Sequence, residues 1–102
     1  MLGEITLIPI GSDTSSMRTH VDRAIAAIRD TGIQATVTEM GTNVIGSMDE
    51  ILTAFRAAHD AVIDAGAARV MALLRIDDRV DQVQRASKPG TEAVLDPTRT
   101  LQ

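Results

Sequence analysis

The sequence contains no cysteine, tryptophan or tyrosine, and Phe55 is its only aromatic residue. Without thiols the chain forms no disulfide, offers no cysteine nucleophile and ligates no iron–sulfur cluster through cysteine. This composition fits a reducing compartment, and we predict a cytoplasmic protein. A core must instead be built from Ile, Val, Leu, Ala and Met. Hydrophobic residues make up 44% of the 102 residues, enough for one modest domain.

Long apolar runs and clustered positive charge are also missing. No run approaches the roughly 20 residues of a membrane span, and the N-terminus lacks the basic and apolar regions of a signal peptide. The net charge of −4 disfavours binding to a phosphate backbone. We therefore expect neither a membrane nor a nucleic-acid partner. Because small domains bury only about 60 to 65% of their unfolded surface, we expect self-association to add burial.

The first half of the chain predicts a strand, a helix and a second strand. Residues 4–10 are rich in β-branched side chains and end at a turn beginning with Gly11. Apolar residues at three- and four-residue spacing predict a helix over residues 15–31, and Gly32 suits the left-handed position after it. Residues 33–39 alternate between apolar and polar, as in a half-buried strand.

The second half repeats this order. Residues 43–45 predict a short strand that forms an antiparallel hairpin with the one before. Ser47-Met-Asp-Glu50 has the form of a capping box, which predicts a helix that Gly66 ends. The nearly continuous apolar run over residues 69–76 predicts the last strand. The apolar stripe of the second helix is predicted to comprise Ile51, Leu52, Phe55, Ala58, Val62 and Ile63.

The resulting order, strand, helix, strand, strand, helix, strand, predicts an α+β fold. Right-handed crossovers place both helices on one face of a four-stranded antiparallel sheet, which is a ferredoxin-like βαββαβ sandwich. The name describes topology only. We expect this domain to span residues 1–79, and residues 80–102 to form a C-terminal tail that is a short helix or partly disordered.

No combination of residues typical of catalysis or metal binding is present. His20 and His59 lie in different predicted helices, and neither belongs to a metal-binding motif. The serines lack a nucleophile elbow, and Ser47 is better explained as a helix cap. We therefore predict a binding protein rather than an enzyme, and no metal site.

The remaining candidate is the segment from Met40 through Gly41 to Thr42. A methionine supplies polarizable contact, a glycine lets a ligand approach the backbone, and a threonine hydroxyl both donates and accepts. This segment is suited to lining a small cavity. A hairpin with a methionine in the core explains the same residues, and the residues alone leave both interpretations open.

Several short segments between about residues 4 and 79 form a recognisable series. They are Ile8-Pro-Ile-Gly11, Thr38-Glu-Met-Gly-Thr42 with Gly46, Asp49-Glu50, Ala58-His59, Ala65-Gly66-Ala67 and Arg75-Ile-Asp-Asp-Arg79. In their order and spacing these segments resemble the family of small thiamine-binding proteins. Two positions depart from the family pattern: Ile45 stands where a Glu is usual before the hairpin glycine, and Glu39 stands where a Pro often precedes the methionine.

The resemblance implies a non-catalytic protein that binds thiamine or its hydroxymethylpyrimidine part, as a ligand and not as a catalytic cofactor. It also implies assembly into dimers or tetramers through the sheets. The ligand-binding residues that it implies are Met40, Gly41 and Thr42, with Gly11, Ser12 and Asp49 as weaker candidates.

Two other classes share this topology. A regulatory or assembly module like the ACT domains binds an amino acid at an interface between subunits. A small cofactor-free monooxygenase is a third possibility, but such pockets commonly use aromatic residues, which are almost absent here.

Overall fold

The computed structural model of the protein describes residues 1–11 and 14–82, and confirms the ferredoxin-like fold. The elements are β1 (Leu2–Pro9), α1 (Thr14–Asp30), β2 (Gln34–Val37), β3 (Thr42–Ile45), α2 (Met48–Asp64) and β4 (Val70–Asp77). The sheet has the order β2-β3-β1-β4, and every neighbouring pair is antiparallel. The predicted tail is described only as far as a 3-10 turn at Val80–Gln82, and residues 83–102 lie outside the described part.

Both helices pack on the same face of the sheet. Gly3 of β1 faces α2, because a Cβ built on Gly3 would lie 3.1 Å from the Ile51 side chain. Ile5, two residues further along β1, points to the same side and shares a cavity with residues of α1. The core between the layers is aliphatic, as predicted, and comprises Ile5, Ala24, Ile28, Val44, Ile51, Ala54, Ala58, Val62 and Ala67.

The capping box predicted at the start of α2 is present. The Glu50 backbone N–H donates to Ser47 Oγ at 3.1 Å, and the Ser47 backbone N–H donates to Glu50 Oε1 at 2.8 Å. These bonds satisfy two donors that the first helical turn leaves unpaired. The hydrogen bond from the Ser47 backbone also lowers the pKa of Glu50. After the helix, Gly66 adopts a φ of +103°, as its predicted role at the helix end requires.

The apolar stripe of α2 was predicted too broadly. Leu52 and Ile63 are 46% and 41% exposed, whereas Ala54, which the prediction omitted, is fully buried. Ile51 and the other buried residues recur at a spacing of three or four, and Leu52 and Ile63 each lie one position beyond that line. One position is a rotation of about 100° around a helix, which turns a side chain from the sheet toward solvent.

Candidate functional site

A cavity of about 210 Å³ lies between α1 and the end of the sheet, beneath the loop that joins β2 to β3. Ile5 and Leu7 of β1 form its floor. The loop and the adjoining strand ends, residues 37–42, form one wall. The opposite wall is the apolar face of α1, contributed by Val21, Ala24, Ile25 and Ile28. The cavity is therefore mainly apolar, with its polar groups concentrated on the hairpin side.

The loop, residues 38–41, is held in shape by its own hydrogen bonds. The Thr38 backbone N–H donates to the Gly41 carbonyl oxygen at 2.7 Å and closes the turn. Thr38 Oγ1 accepts from the backbone N–H groups of Met40 and Gly41, each at 3.2 Å. Thr6 Oγ1 of β1 donates to the Met40 carbonyl oxygen at 3.1 Å. The wall of the cavity is thus fastened both within itself and to the central sheet.

Gly41 packs directly against β1. A Cβ at this position would lie 2.7 Å from the Ile5 carbonyl oxygen and 2.7 Å from Thr6 Oγ1. Real Cβ atoms are essentially never found so close to backbone oxygen. Glycine is needed here because of packing, and its lack of a side chain lets the loop cover the end of the cavity.

Thr42 places a hydroxyl group at the buried end of the cavity. Its side chain faces the helices beside Ile5, its partner on β1. The residue is only 6% exposed, and its hydroxyl has no hydrogen-bond partner in the described part of the chain. Because Thr42 lines the cavity, its hydroxyl can both donate a hydrogen bond to a ligand and accept one from it.

Met40 lies at the outer rim with 77% of its surface exposed. The interpretation of this residue as a core methionine is therefore wrong, although the hairpin itself is confirmed. A loop residue at the turn has no strand or helix stacked above it, which leaves the flexible thioether free to cover a bound ring.

The structure brings Met40, Gly41 and Thr42 together around this cavity, but not the weaker candidates. Gly11 is exposed after β1, with a φ of +85°, and does not line the cavity. Asp49 lines a separate groove near Thr31 and Thr53. Ser12 lies outside the described residues.

Sequence reasoning missed Glu39 as a site residue. Glu39 lines the cavity and is exposed, and its side chain forms no hydrogen bond or ion pair in the part of the chain that the structure describes. In the sequence, Glu39 was marked only as a departure from the family pattern directly before Met40. The α1 residues on the opposite wall, such as Ile25, were recognisable as an apolar face, but nothing local distinguished a cavity wall from a packed core.

The histidines do not form a site with other ligands. Among the described residues, no three His, Asp or Glu side chains lie close enough together to hold a metal ion. His59 is exposed and its Nδ1 lies 3.0 Å from Asp60 Oδ1. His20 is only 5% exposed, and its Nδ1 has no hydrogen-bond partner among the described residues. Within residues 1–11 and 14–82, neither helix is long and apolar enough to cross a bilayer.

Comparison with known proteins matches most of the chain. A family model described as thiamine-binding protein matches residues 3–91. A UPF0045 protein of Methanothermobacter thermautotrophicus is 38% identical over 92 residues, which cover 89% of this chain and 92% of that protein. The UPF0045 protein YqgV of Bacillus subtilis is 31% identical over 85 residues, covering 79% of this chain and 82% of that protein.

Solved structures share the fold. A hypothetical protein from Methanocaldococcus jannaschii superposes with a TM-score of 0.70 at 30% identity, covering 84% of this chain and 93% of that one. A candidate thiamine biosynthesis/salvage protein from Thermotoga maritima also has a TM-score of 0.70, at 21% identity, covering 84% of this chain and 95% of that one. At that identity the second likeness shows the fold alone.

Proposed function

Because the chain belongs to the thiamine-binding protein family, we propose that it binds thiamine or its hydroxymethylpyrimidine part in the cavity beneath the β2–β3 loop. The observation that carries this proposal is the position of Thr42, which is only 6% exposed and lines a mainly apolar cavity with a hydroxyl group. A flat heterocycle needs apolar contact on its faces and a few polar groups at its edge. Ile5 and Ile25 supply the apolar contact, and Thr42 supplies a polar group.

The side chains around the cavity favour binding over catalysis. Among the described lining residues, Glu39 is the only one with an ionisable side chain, and there is no His, Lys or Ser beside it. Nucleophilic catalysis needs a nucleophile within hydrogen-bond reach of a base, and general acid–base catalysis needs a group placed against the proton it transfers. A carboxylate at an open rim is better suited to holding a ligand.

The direct test is calorimetric titration of the folded protein with thiamine and, separately, with hydroxymethylpyrimidine. We expect binding in the micromolar range or tighter. Thr42→Val keeps the shape but removes the hydroxyl, and a lost hydrogen bond of about 1.4 kcal/mol corresponds to about tenfold weaker binding. Met40→Ala is also expected to weaken binding.

Met48→Ala is the matched control, because Met48 is 41% exposed on α2 and does not line the cavity. Flat titrations with both compounds on folded protein would refute the proposal. In parallel, the melting temperature of the protein is measured with a series of amino acids. An increase with an amino acid, and none with thiamine or hydroxymethylpyrimidine, would favour the ACT-like alternative.

We also propose that the open face of the sheet binds a second copy of the chain. On this face Ile8 pairs with Met71 across β1 and β4, and Leu73 is the next residue of β4 on the same side. These side chains are 43%, 48% and 45% exposed, so they form an apolar patch.

The position and charge of this patch favour self-association. It lies against β4, whose outer edge pairs with no strand in the described residues, and such edges readily pair with another chain. Beside it, Arg75 Nε donates to Glu4 Oε1 at 3.1 Å. Because this face carries both a positive and a negative side chain, two copies related by a twofold axis can place each charge against one of opposite sign.

A further inference from the structure

Glu39 is the only charged side chain among the described residues that line the cavity. Glu39 lines the cavity from the β2–β3 loop, and its carboxylate is exposed and forms no ion pair in the described structure. The neighbouring Thr38 side chain, by contrast, stabilises the loop, because its Oγ1 accepts hydrogen bonds from the backbone N–H groups of Met40 and Gly41. Glu39 therefore contributes charge to the cavity without contributing to the turn.

The described wall of the cavity contains no aromatic side chain. Proteins commonly recognise a positively charged ring or quaternary nitrogen through the faces of aromatic residues. Phe55, the only aromatic residue of the chain, is not among the residues that line this cavity. Recognition of positive charge here consequently depends on the Glu39 carboxylate, and no cationic side chain among the described lining residues neutralises it.

We propose that Glu39 makes this cavity selective for a heteroaromatic ring with a permanent positive charge over a neutral ring of the same shape. This inference rests on the proposed function and deepens it: the rim would recognise the thiazolium end of thiamine, whereas the apolar interior with Thr42 would accept the uncharged pyrimidine end. The two ends of the ligand would thus be distinguished by the distribution of charge along the cavity.

The test uses a matched pair of small probes, the N-methylated thiazolium and the neutral thiazole that differ by one methyl group and one charge. Thiamine and hydroxymethylpyrimidine are titrated in parallel against the wild type and Glu39→Gln. We expect the substitution to weaken binding of the thiazolium and of thiamine about two- to fivefold, which is the upper range of an exposed ion pair. Binding of the neutral thiazole and of hydroxymethylpyrimidine is expected to change less than twofold.

Asp64→Asn is the matched control. It removes the same formal charge from the exposed end of α2, at a residue that does not line the cavity. If Asp64→Asn weakens thiazolium binding as much as Glu39→Gln does, the effect is one of net charge and the inference is wrong. Added salt is expected to reduce the preference of the wild type for the charged probe, because an exposed ion pair is screened.

The outcomes separate the inference from the proposed function. Equal affinity of the wild type for the two thiazole probes, or equal weakening of both by Glu39→Gln, overturns the inference while thiamine binding still supports the function. Failure to bind any of the four compounds overturns both. Selective binding of the thiazolium without binding of thiamine supports the inference and refutes the function.

Discussion

Gly41 and Ile5 approach so closely that a Cβ added to Gly41 would lie 2.7 Å from the Ile5 carbonyl oxygen. This contact holds the loop against β1, one of the two inner strands of the sheet, beside the cavity. The glycine thus links the backbone packing of the sheet to the shape of the candidate binding site.

Replacing Gly41 with Ala is expected to push the loop away from β1. The methyl group meets backbone at Ile5, which yields less readily than a side chain, so we expect a loss of about 1 to 3 kcal/mol in the free energy of unfolding. Binding of thiamine to the folded fraction should weaken as well. Urea unfolding and calorimetry measure the two effects.

Gly32→Ala is the control for this substitution. Gly32 has a φ of +84° but no atom within 4 Å of its added Cβ, and it does not line the cavity. It should therefore lose about 1 kcal/mol through backbone strain alone and keep its affinity. Unchanged stability and affinity in Gly41→Ala would show that the loop does not depend on this contact.

The capping box of α2 predicts a specific pH dependence. The Ser47 backbone N–H lowers the pKa of Glu50 from its ordinary value of 4.5, so the unfolded chain takes up this proton at a higher pH than the folded chain. The resulting stabilisation is present above about pH 4.5 and is lost as the pH falls through the folded pKa. Glu50→Gln should remove this part of the pH dependence of unfolding.

Ser47→Ala tests the other half of the box. Loss of an N-cap hydroxyl typically costs about 1 kcal/mol, and we expect that loss in urea unfolding at neutral pH. Within the described part of the chain, the exposed Ser47 side chain forms a hydrogen bond only with Glu50, so a much larger loss would contradict a purely local cap. If the free energy of unfolding falls with decreasing pH in the same way for the wild type and for Glu50→Gln, the ionised Glu50 side chain does not contribute to stability.

Ile51 and Leu52 provide a test of burial within a single helical turn. Ile51 is fully buried and Leu52 is 46% exposed. Ile51→Ala is expected to lower the free energy of unfolding by about 2 to 5 kcal/mol, the usual cost of truncating a core side chain. Leu52→Ala should cost less than about 1 kcal/mol. Similar losses would mean that Leu52 is covered in solution.

Leu73→Glu tests self-association through the open face. A carboxylate in the apolar patch would be buried without a partner in the proposed dimer, so we expect sedimentation velocity to show a shift toward monomer. Leu52→Glu is the control, since Leu52 has nearly the same exposure as Leu73, 46% against 45%, but lies on α2. Dissociation by Leu52→Glu alone would assign the interface to the helix.

Most of the fold was predictable because its signals are local. The capping box at Ser47 and Glu50, the glycines at the ends of both helices and the alternation in β2 each depend on residues a few positions apart. Four strands and two helices in this order then leave few ways to cover one face of a sheet. The segment from Met40 to Thr42 was also recognisable as a candidate site from its own residue types.

The sequence by itself determined the order of the elements, their caps and the aliphatic nature of the core. Only the tertiary structure decided that Leu52 is exposed, that Glu39 stands at the rim of a cavity, and that Asp49 lies in a different groove. The physical reason is that capping and periodicity act along the chain, whereas burial and cavity shape depend on which distant element packs against a residue.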